Sequence, residues 1–482
     1  MLNRILEADK TKLVESTMTS GHNKTRLYTL LIVCGMIQIG VYSVFVSGLV
    51  GASIFASKDH ISPSLLVWPE WIIKPGFAWI GGIFTDKFGR KNSLFSSIFL
   101  ALIFSLASSL ISDSQLELYL VFRVFVCIMI GAVQVTNYVY VSESVAQKFR
   151  TKCLFVLVIT DCIGTLYGYA VMQIGTIEWK MRLLISSIPL LISGLLVFFF
   201  LKNETPKYLV VSGQADKAFD QMIPTTPPAA NRNIRKQEFV RSLTTLACPR
   251  SQRGRIATLF RVGTVSNPNN LPFLLFLWFV QAIVYWGAMS ALPHLFGGSA
   301  TSLEILLLLY VFELIGIFVA AICASKISVE KTLVGFKIVS TVLVAIVAIS
   351  MAVSAPWFLS ASICGMFGSL TPIWGILFVI STESFSPQVR ATGLGLLMST
   401  RIVQGVLETS LPSEPSHSWR PLIYVCIAFG FSAIGVIVSL RKCSTWSQRP
   451  KPPTTPSESP VTLRTDSTVS SPKLFSINSV HT

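Results

Sequence analysis

Glu143-Ser-Val-Ala-Gln-Lys-Phe-Arg150-Thr-Lys closes one apolar run of this 482-residue chain, and Glu383-Ser-Phe-Ser-Pro-Gln-Val-Arg390-Ala-Thr closes another, 240 positions later. In both stretches an acid stands seven residues before an arginine. Trp179 and Trp419 keep the same offset. A charged pair that recurs at the ends of hydrophobic runs implies a duplicated membrane chain. It also implies that the halves meet through charges on one face of the bilayer.

Composition agrees. Hydrophobic residues make up 52% of the chain and charged residues 13%, where a soluble domain carries about 25% charged residues. Mean hydropathy is +0.63. Apolar runs of roughly 20 residues, enough to cross a bilayer, recur at 27–49, 63–85, 92–112, 118–142, 153–174, 182–201, 271–294, 301–324, 333–354, 357–382, 391–412 and 419–440. These predict twelve spans, grouped as halves 27–201 and 271–440. The polar, basic and Pro-containing stretch 202–270 reads as a linker. The first 26 residues lack an apolar core and read as a tail, so the first span is expected to do the targeting. The Ser/Thr/Pro-rich stretch 441–482 reads as a disordered tail.

The net charge of +16 is not a nucleic-acid signal in this setting. Along the alternating topology, most of the 39 Lys and Arg share the side of the N-terminus. Lys58, Lys180, Arg182 and Arg420 fall on the other side, and Lys74, Arg123 and Arg401 fall within spans. The positive-inside bias then predicts that both termini are cytoplasmic. Nine Cys without C-x-x-C spacing, mostly within spans, predict neither a disulfide framework nor a zinc site. Five unclustered His offer no catalytic constellation, so no enzyme, metal or cofactor is expected.

Between the second and third spans lies Gly82-Ile-Phe-Thr-Asp86-Lys-Phe-Gly89-Arg90-Lys91. Gly82 admits a close neighbour, Gly89 suits a tight turn, Asp86 suits a facing helix N-terminus, and Arg90 offers a forked donor to an acid. The stretch resembles the G-x-x-x-D-x-x-G-R-K signature of the major facilitator superfamily. Asn203-Glu204-Thr205-Pro206-Lys207-Tyr208-Leu209 is similar to the P-E-S-P-R-W/Y-L of sugar porters and organic-ion transporters. Trp278-Phe-Val-Gln281-Ala-Ile-Val-Tyr285-Trp286-Gly287 resembles the W-F-x-N-x-x-x-Y-Y-G of organic-ion and synaptic-vesicle-2-related proteins. Val389-Arg390-Ala391-Thr392-Gly393-Leu394-Gly395 matches V-R-A-T-G-x-G of the same group. The short first loop favours the synaptic-vesicle-2-related, niacin-type branch, and the sugar porters are more distant.

The resemblance implies an all-α integral membrane protein with the major facilitator fold, twelve transmembrane helices in two pseudo-symmetric six-helix halves. It also implies a cytoplasmic gate of Gly82, Asp86, Gly89, Arg90, Lys91, Glu143, Arg150, Glu383 and Arg390. The equivalent position after the eighth span is worn: Ser325, Ser328 and Val329 replace the family's Asp, Gly and Arg.

Charges deep in a span are costly and point to function. Glu313 lies about a dozen residues from either end of span 8, near the midplane at about 1.5 Å per residue. It is read as a substrate or proton site, or as an acid bonded between helices. Arg401, Gln404 and Glu408 share one stripe of span 11. They are expected to line a cavity, the alternative being an Arg401–Glu408 pair. Asp161 in span 5 is read as a relay, a substrate contact or the partner of Arg401 or Arg123. Glu70 and Lys74, four residues apart, are expected to neutralise each other. Arg123 is read as structural. Of the aromatics, Tyr285 is the expected substrate contact, with Gln281 beside it in the same motif.

These readings predict a secondary active or facilitative transporter of a small organic ion, anion or zwitterion rather than cation, working by alternating access. Arg401 would take the anion and Glu313 a coupling proton. The alternative is a non-transporting membrane receptor or vesicle scaffold on the same fold. The partners expected are a small organic solute, a proton or other ion, and the lipid bilayer. The chain is expected to be a monomer in the plasma membrane or an endomembrane vesicle.

Overall fold

The computed structural model describes residues 24–59, 66–112, 115–223, 270–295, 303–353, 356–403 and 420–447, with a few isolated positions outside these ranges. Most of the tail 1–26, much of the linker 202–270 and most of the tail 441–482 fall outside them, as do Gln404 and Glu408.

Among the described residues the structure is helical, with no strand. The first half holds α1 (Lys24–Asp59), α2 (Ala78–Phe88), α3 (Arg90–Ser109), α4 (Leu116–Ser144), α5 (Gln147–Met172) and α6 (Trp179–Phe200). Two short helices follow, α7 (Pro206–Val211) and α8 (Ala215–Met222). The second half holds α9 (Asn270–Leu295), α10 (Leu303–Lys326), α11 (Val329–Val353), α12 (Pro356–Ser384), α13 (Arg390–Ser399) and α14 (Arg420–Ser447). Among the described residues eight helices are long and apolar enough to cross a membrane, and Leu271–Tyr285 and Ile427–Leu440 form two shorter apolar stretches. The other two expected spans are an interrupted second one and an eleventh described only in part.

The second span is not the continuous helix that its apolar run predicts. A π-turn over Pro69–Ile73 leads into Lys74–Gly76, and the helix restarts at Ala78 after Phe77. Proline supplies the reason. Pro75 has no N–H to donate to Trp71, so the regular ladder fails there and the chain rewinds.

The bundle is apolar outside, and charged and polar groups are buried within its apolar core. Phe198, Phe199 and Phe200 of α6 are more than half exposed, while Glu313, Arg123, Asn137 and Gln281 are buried. That pattern suits a lipid surround, where exposed apolar side chains carry no penalty.

Within the first half α1 packs on α5 and α6, and α3 packs on α4 and α6. Within the second, α9 packs on α14, and α11 on α12 and α14. The halves join along two principal seams, α2 on α13 and α5 on α10. These seams are equivalents under the duplication, since span 2 corresponds to span 8 and span 11 to span 5. Small residues make the first seam tight. A Cβ on Gly395 would lie 2.7 Å from Trp79 Cα, and one on Gly82 would lie 2.8 Å from Thr392 Cα and collide with the Ala391 carbonyl.

Candidate functional site

At the loop end of the α2–α13 seam, buried charges from both halves form one network. Glu143, at the last turn of α4, is fully buried. Its Oε2 accepts from Arg90 Nε at 2.9 Å and from Thr205 Oγ1 at 2.8 Å. Its Oε1 accepts from Arg90 Nη2 at 3.2 Å and, across the halves, from Arg390 Nη1 at 3.1 Å. Arg90 also pairs with Asp86 at 3.1 Å, donates to the Pro387 carbonyl of the second half, and lies 4.6 Å from the Tyr208 ring centre.

Asp86 caps the start of α13. Its Oδ2 accepts the Thr392 N–H and hydroxyl, both at 2.8 Å, and its Oδ1 accepts Ala391 N–H at 3.4 Å. Helix N-termini leave N–H groups without intrahelical partners, and a carboxylate there also meets the positive end of the helix dipole. Arg390 Nε and Nη2 donate to the Phe385 carbonyl at 3.3 and 3.1 Å, which turns the guanidinium back toward Glu143.

Gly89 holds the corner between α2 and α3 at φ +97°, a backbone conformation that favours glycine. Against it lies Glu204, which accepts the N–H groups of Arg90 at 3.0 Å and Lys91 at 3.1 Å and so caps α3. Burial pushes the Glu204 carboxyl above the usual range, opposed by those N–H groups and by Arg90. Lys91 does not reach the other half; its Nζ donates to the Lys202 carbonyl at 2.8 Å.

The repeated acid–arginine pair is unequal in space. Arg150 meets Glu383 at 3.6 Å, and the Glu383 side chain is 37% exposed. Ser325, standing where the first half has Asp86, donates to Ile322 in its own helix at 2.8 Å. The worn motif therefore supplies no counterpart to the Asp86 cap.

Midway along the bundle the expected site residues fall into two groups. Glu313 is buried at the α5–α10 seam. Tyr285 Oη donates to its Oε1 at 3.0 Å, and Cys162 Sγ of the first half to its Oε2 at 3.5 Å. Arg401 belongs to the other group, 5.2 Å from the Trp374 ring centre and reaching the Tyr42 hydroxyl. Among the described residues no ion pair joins Glu313 to Arg401 or to any other cation.

Asp161 Oδ2 accepts from Tyr138 Oη at 2.7 Å, and its Oδ1 has no hydrogen-bond partner. Lys74 and Arg401 are the cations whose charge reaches it. Gln281 is occupied at both ends. Its Oε1 accepts from Lys337 Nζ and its Nε2 donates to the Leu370 carbonyl, both at 2.9 Å.

One pairing differs from the expectation. Glu70 and Lys74 do not neutralise each other; Arg123 takes Glu70 through Nη2 at 2.7 Å and Nε at 2.9 Å. The fork of an arginine matches a carboxylate better than a lysine on the same helix does. Lys337, near the end of span 9, is buried and donates to Gln281. Tyr42, Gln134, Tyr138 and Cys162 also enter the site, and no motif singles them out.

A duplicated helical bundle with such a seam of charge defines a class of solute carriers, and comparison with known proteins agrees. The sequence profile of the Major Facilitator Superfamily matches residues 72–407, and the chain belongs to that family. It is a multi-pass membrane protein of a family of transporters. An organic cation transporter protein of Drosophila melanogaster is 24% identical over 370 residues, 73% of this chain and 64% of the fly protein. The synaptic vesicle 2-related protein of Rattus norvegicus is 29% identical over 217 residues, 45% of this chain and 37% of the rat protein. The chain thus spans less than two thirds of the length of these relatives. The proton:xylose symporter XylE, solved with 6-bromo-6-deoxy-D-glucose, has a similar structure: TM-score 0.69 at 17% identity, covering 89% of this chain and 97% of the symporter. At that identity the likeness concerns the fold.

Proposed function

We propose that the protein moves a small organic anion or zwitterion across the membrane by alternating access between its halves. The observation that carries this reading is the pairing of a buried charge lock at one end of the α2–α13 seam with a buried, charged cluster midway along the same bundle. The lock of Asp86, Arg90, Glu143, Arg150, Glu383 and Arg390, seated by Gly82 and Gly89, closes the cytoplasmic face. Lys91 holds the loop from its own side. Both termini lie on that face, in the plasma membrane or an endomembrane vesicle, and the monomer is the working unit.

Arg401 receives the anionic group, with Asp161 nearby and Gln404 on the same stripe of span 11. Glu313, held by Tyr285 and facing Cys162 and Tyr310, carries a coupling proton. Gln281 acts from behind, by fixing Lys337 and the α12 backbone.

Uptake into proteoliposomes tests the reading. A panel of organic acids, bases and zwitterions is offered with and without a pH gradient, to wild type and to Arg401→Gln. Uptake of an acid or zwitterion that Arg401→Gln abolishes is the expected result. A preference for cations would overturn the anion reading. No uptake of any class would favour a receptor or scaffold instead.

A further inference from the structure

The offset of 240 that relates Glu143 to Glu383 also relates Tyr138 to Phe378, and Asp161 to Arg401. Tyr138 and Phe378 meet in space. Their buried rings stack face to face across the halves, with centres 3.6 Å apart and planes 4° from parallel. Equivalent positions of a duplicated bundle that touch each other lie on the axis between its halves.

The helices set the level of the stack. Tyr138 stands one turn from Gln134, which lines a small cavity with Arg401. It is also five residues before Glu143 of the lock, about 7.5 Å along the helix. Phe378 stands one turn from Trp374, the ring beside Arg401, and five residues before Glu383. The stack therefore lies between the midway cluster and the lock. Beside it Phe155 of α5 faces Gly375 of α12, where a Cβ would lie 2.8 Å from the Phe155 ring.

Face-to-face rings gain less from each other than offset or edge-on pairs, so this stack depends on what holds each ring. Phe378 makes an edge-on contact with Trp278 at 5.1 Å and 85°, and Trp278 Nε1 donates to Ser381 Oγ at 2.9 Å. Tyr138 is held by its hydroxyl, which donates to Asp161 Oδ2 at 2.7 Å. The equivalent pair in the second half is Phe378 and Arg401, and phenylalanine has no hydroxyl to give. Of the two rings, Tyr138 is the one tied to a charge midway along the bundle.

We propose that the Tyr138–Phe378 stack is a second, inner closure of the solute path, and that the Tyr138 hydroxyl ties this closure to what Asp161 binds. The proposal rests on the reading of alternating access. It adds a closure distinct from the charge lock and a residue that links closure to the site. Rings in contact leave no passage between them, so a solute leaving toward the loop end must part them. Lys74, Arg401 and Tyr42 also act on the Asp161 carboxylate. An N–H or O–H of a solute that reaches Asp161 competes with the Tyr138 hydroxyl for that carboxylate, and bonds to an ionised acceptor are the strong ones. With its bond given up, the Tyr138 ring turns off Phe378 and the path opens below the solute. An empty site keeps the bond, and the path stays shut even where the lock loosens. Tyr138 is thus a positioning residue, acting on passage through the stack.

The test needs no solute. The full-length protein, in vesicles that present the loop end outward, carries Met398→Cys as a reporter in the cavity beside Arg401. It is labelled with a membrane-impermeant maleimide, and the reporter peptide is read by mass spectrometry. With the lock weakened by Glu143→Gln, Tyr138→Ala should speed labelling about tenfold or more. Tyr138→Phe and Asp161→Asn should each speed it about fivefold, the worth of one hydrogen bond. Combined, those two should do no more than either alone, because they cut the same bond. If Tyr138→Ala does not fold, Phe378→Ala reports on the stack from the other half. Labelling unchanged by Tyr138→Ala and Phe378→Ala, while Glu143→Gln still parts α2 from α13, would overturn the inner closure and leave alternating access standing. Additive effects of Tyr138→Phe and Asp161→Asn, or none, would overturn the link to Asp161. A protected reporter and a fixed α2–α13 distance in every variant would count against alternating access itself.

Discussion

Asp86 closes the N-terminus of a helix that belongs to the other half. Its carboxylate takes both the N–H and the hydroxyl of Thr392 at 2.8 Å, so the first turn of α13 is capped by a residue 306 positions earlier in the chain. Caps of this kind contribute about 0.5–2 kcal/mol. Asp86→Ala should therefore move the closed-to-open ratio by a few-fold up to about 30-fold without unfolding the protein. Labelling of a cysteine placed at the buried Ala391 should rise in the Asp86→Ala background. No change in labelling would argue against a role for the cap in closure.

The two copies of the repeated acid should respond unequally. Glu143 is buried between Arg90 and Arg390, whereas Glu383 is partly exposed beside Arg150. Breaking a buried ion pair costs about 3–5 kcal/mol, and an exposed one about 0–1 kcal/mol. Glu143→Gln should strongly favour the open loop end and change uptake kinetics, while Glu383→Gln should have a small effect. Distances between spin labels on α2 and α13 report the population directly. Equal shifts in the two variants would contradict the asymmetry.

Gly82 faces the Ala391 carbonyl with no room for a side chain. Gly82→Val should prevent the loop end from closing, leaving a folded protein biased to one state. Normal secondary structure with lost uptake is the expected pattern. Full uptake by the valine variant would mean that the seam yields more easily than its packing implies.

Glu313 is bonded by Tyr285 and Cys162, with no cation paired to it among the described residues. Glu313→Gln should keep exchange of solute across the membrane but abolish its response to a pH gradient. Tyr285→Phe should weaken that response less. A gradient response that survives in Glu313→Gln would remove the residue from coupling.

Glu70 and Arg123 offer a check on folding rather than transport. Glu70→Gln leaves Arg123 buried, with the Val44 carbonyl as a remaining acceptor at 3.1 Å. A loss of about 3–5 kcal/mol is expected. It would appear as a lower unfolding temperature in detergent, with the loop-end lock intact.

The lock was the most legible part of the molecule. Its residues sit in short stretches whose spacing follows from helix ends and turns, so Asp86, Arg90, Glu143 and Arg390 are readable in one dimension. The middle of the bundle was less so. Glu70 and Lys74 have ideal helical spacing, yet Arg123 of α4 takes the acid, and no rule of spacing along one chain reveals a partner 53 positions away. Lys337 is silent for a related reason: its place near a span end says nothing about whether Gln281 stands within reach inside. The break in the second span was written in Pro69 and Pro75, but hydropathy alone passes over it, since proline leaves the apolar run intact.

That break divides the second span into a piece that carries Lys74 and a piece that carries Asp86, about 18 Å apart at about 1.5 Å per helical residue. The first piece rests on Phe45 and Tyr42 of its own half, and the second on α13 of the other. One span is thus held by both halves, with the irregular turn at Phe77 between its two anchorages.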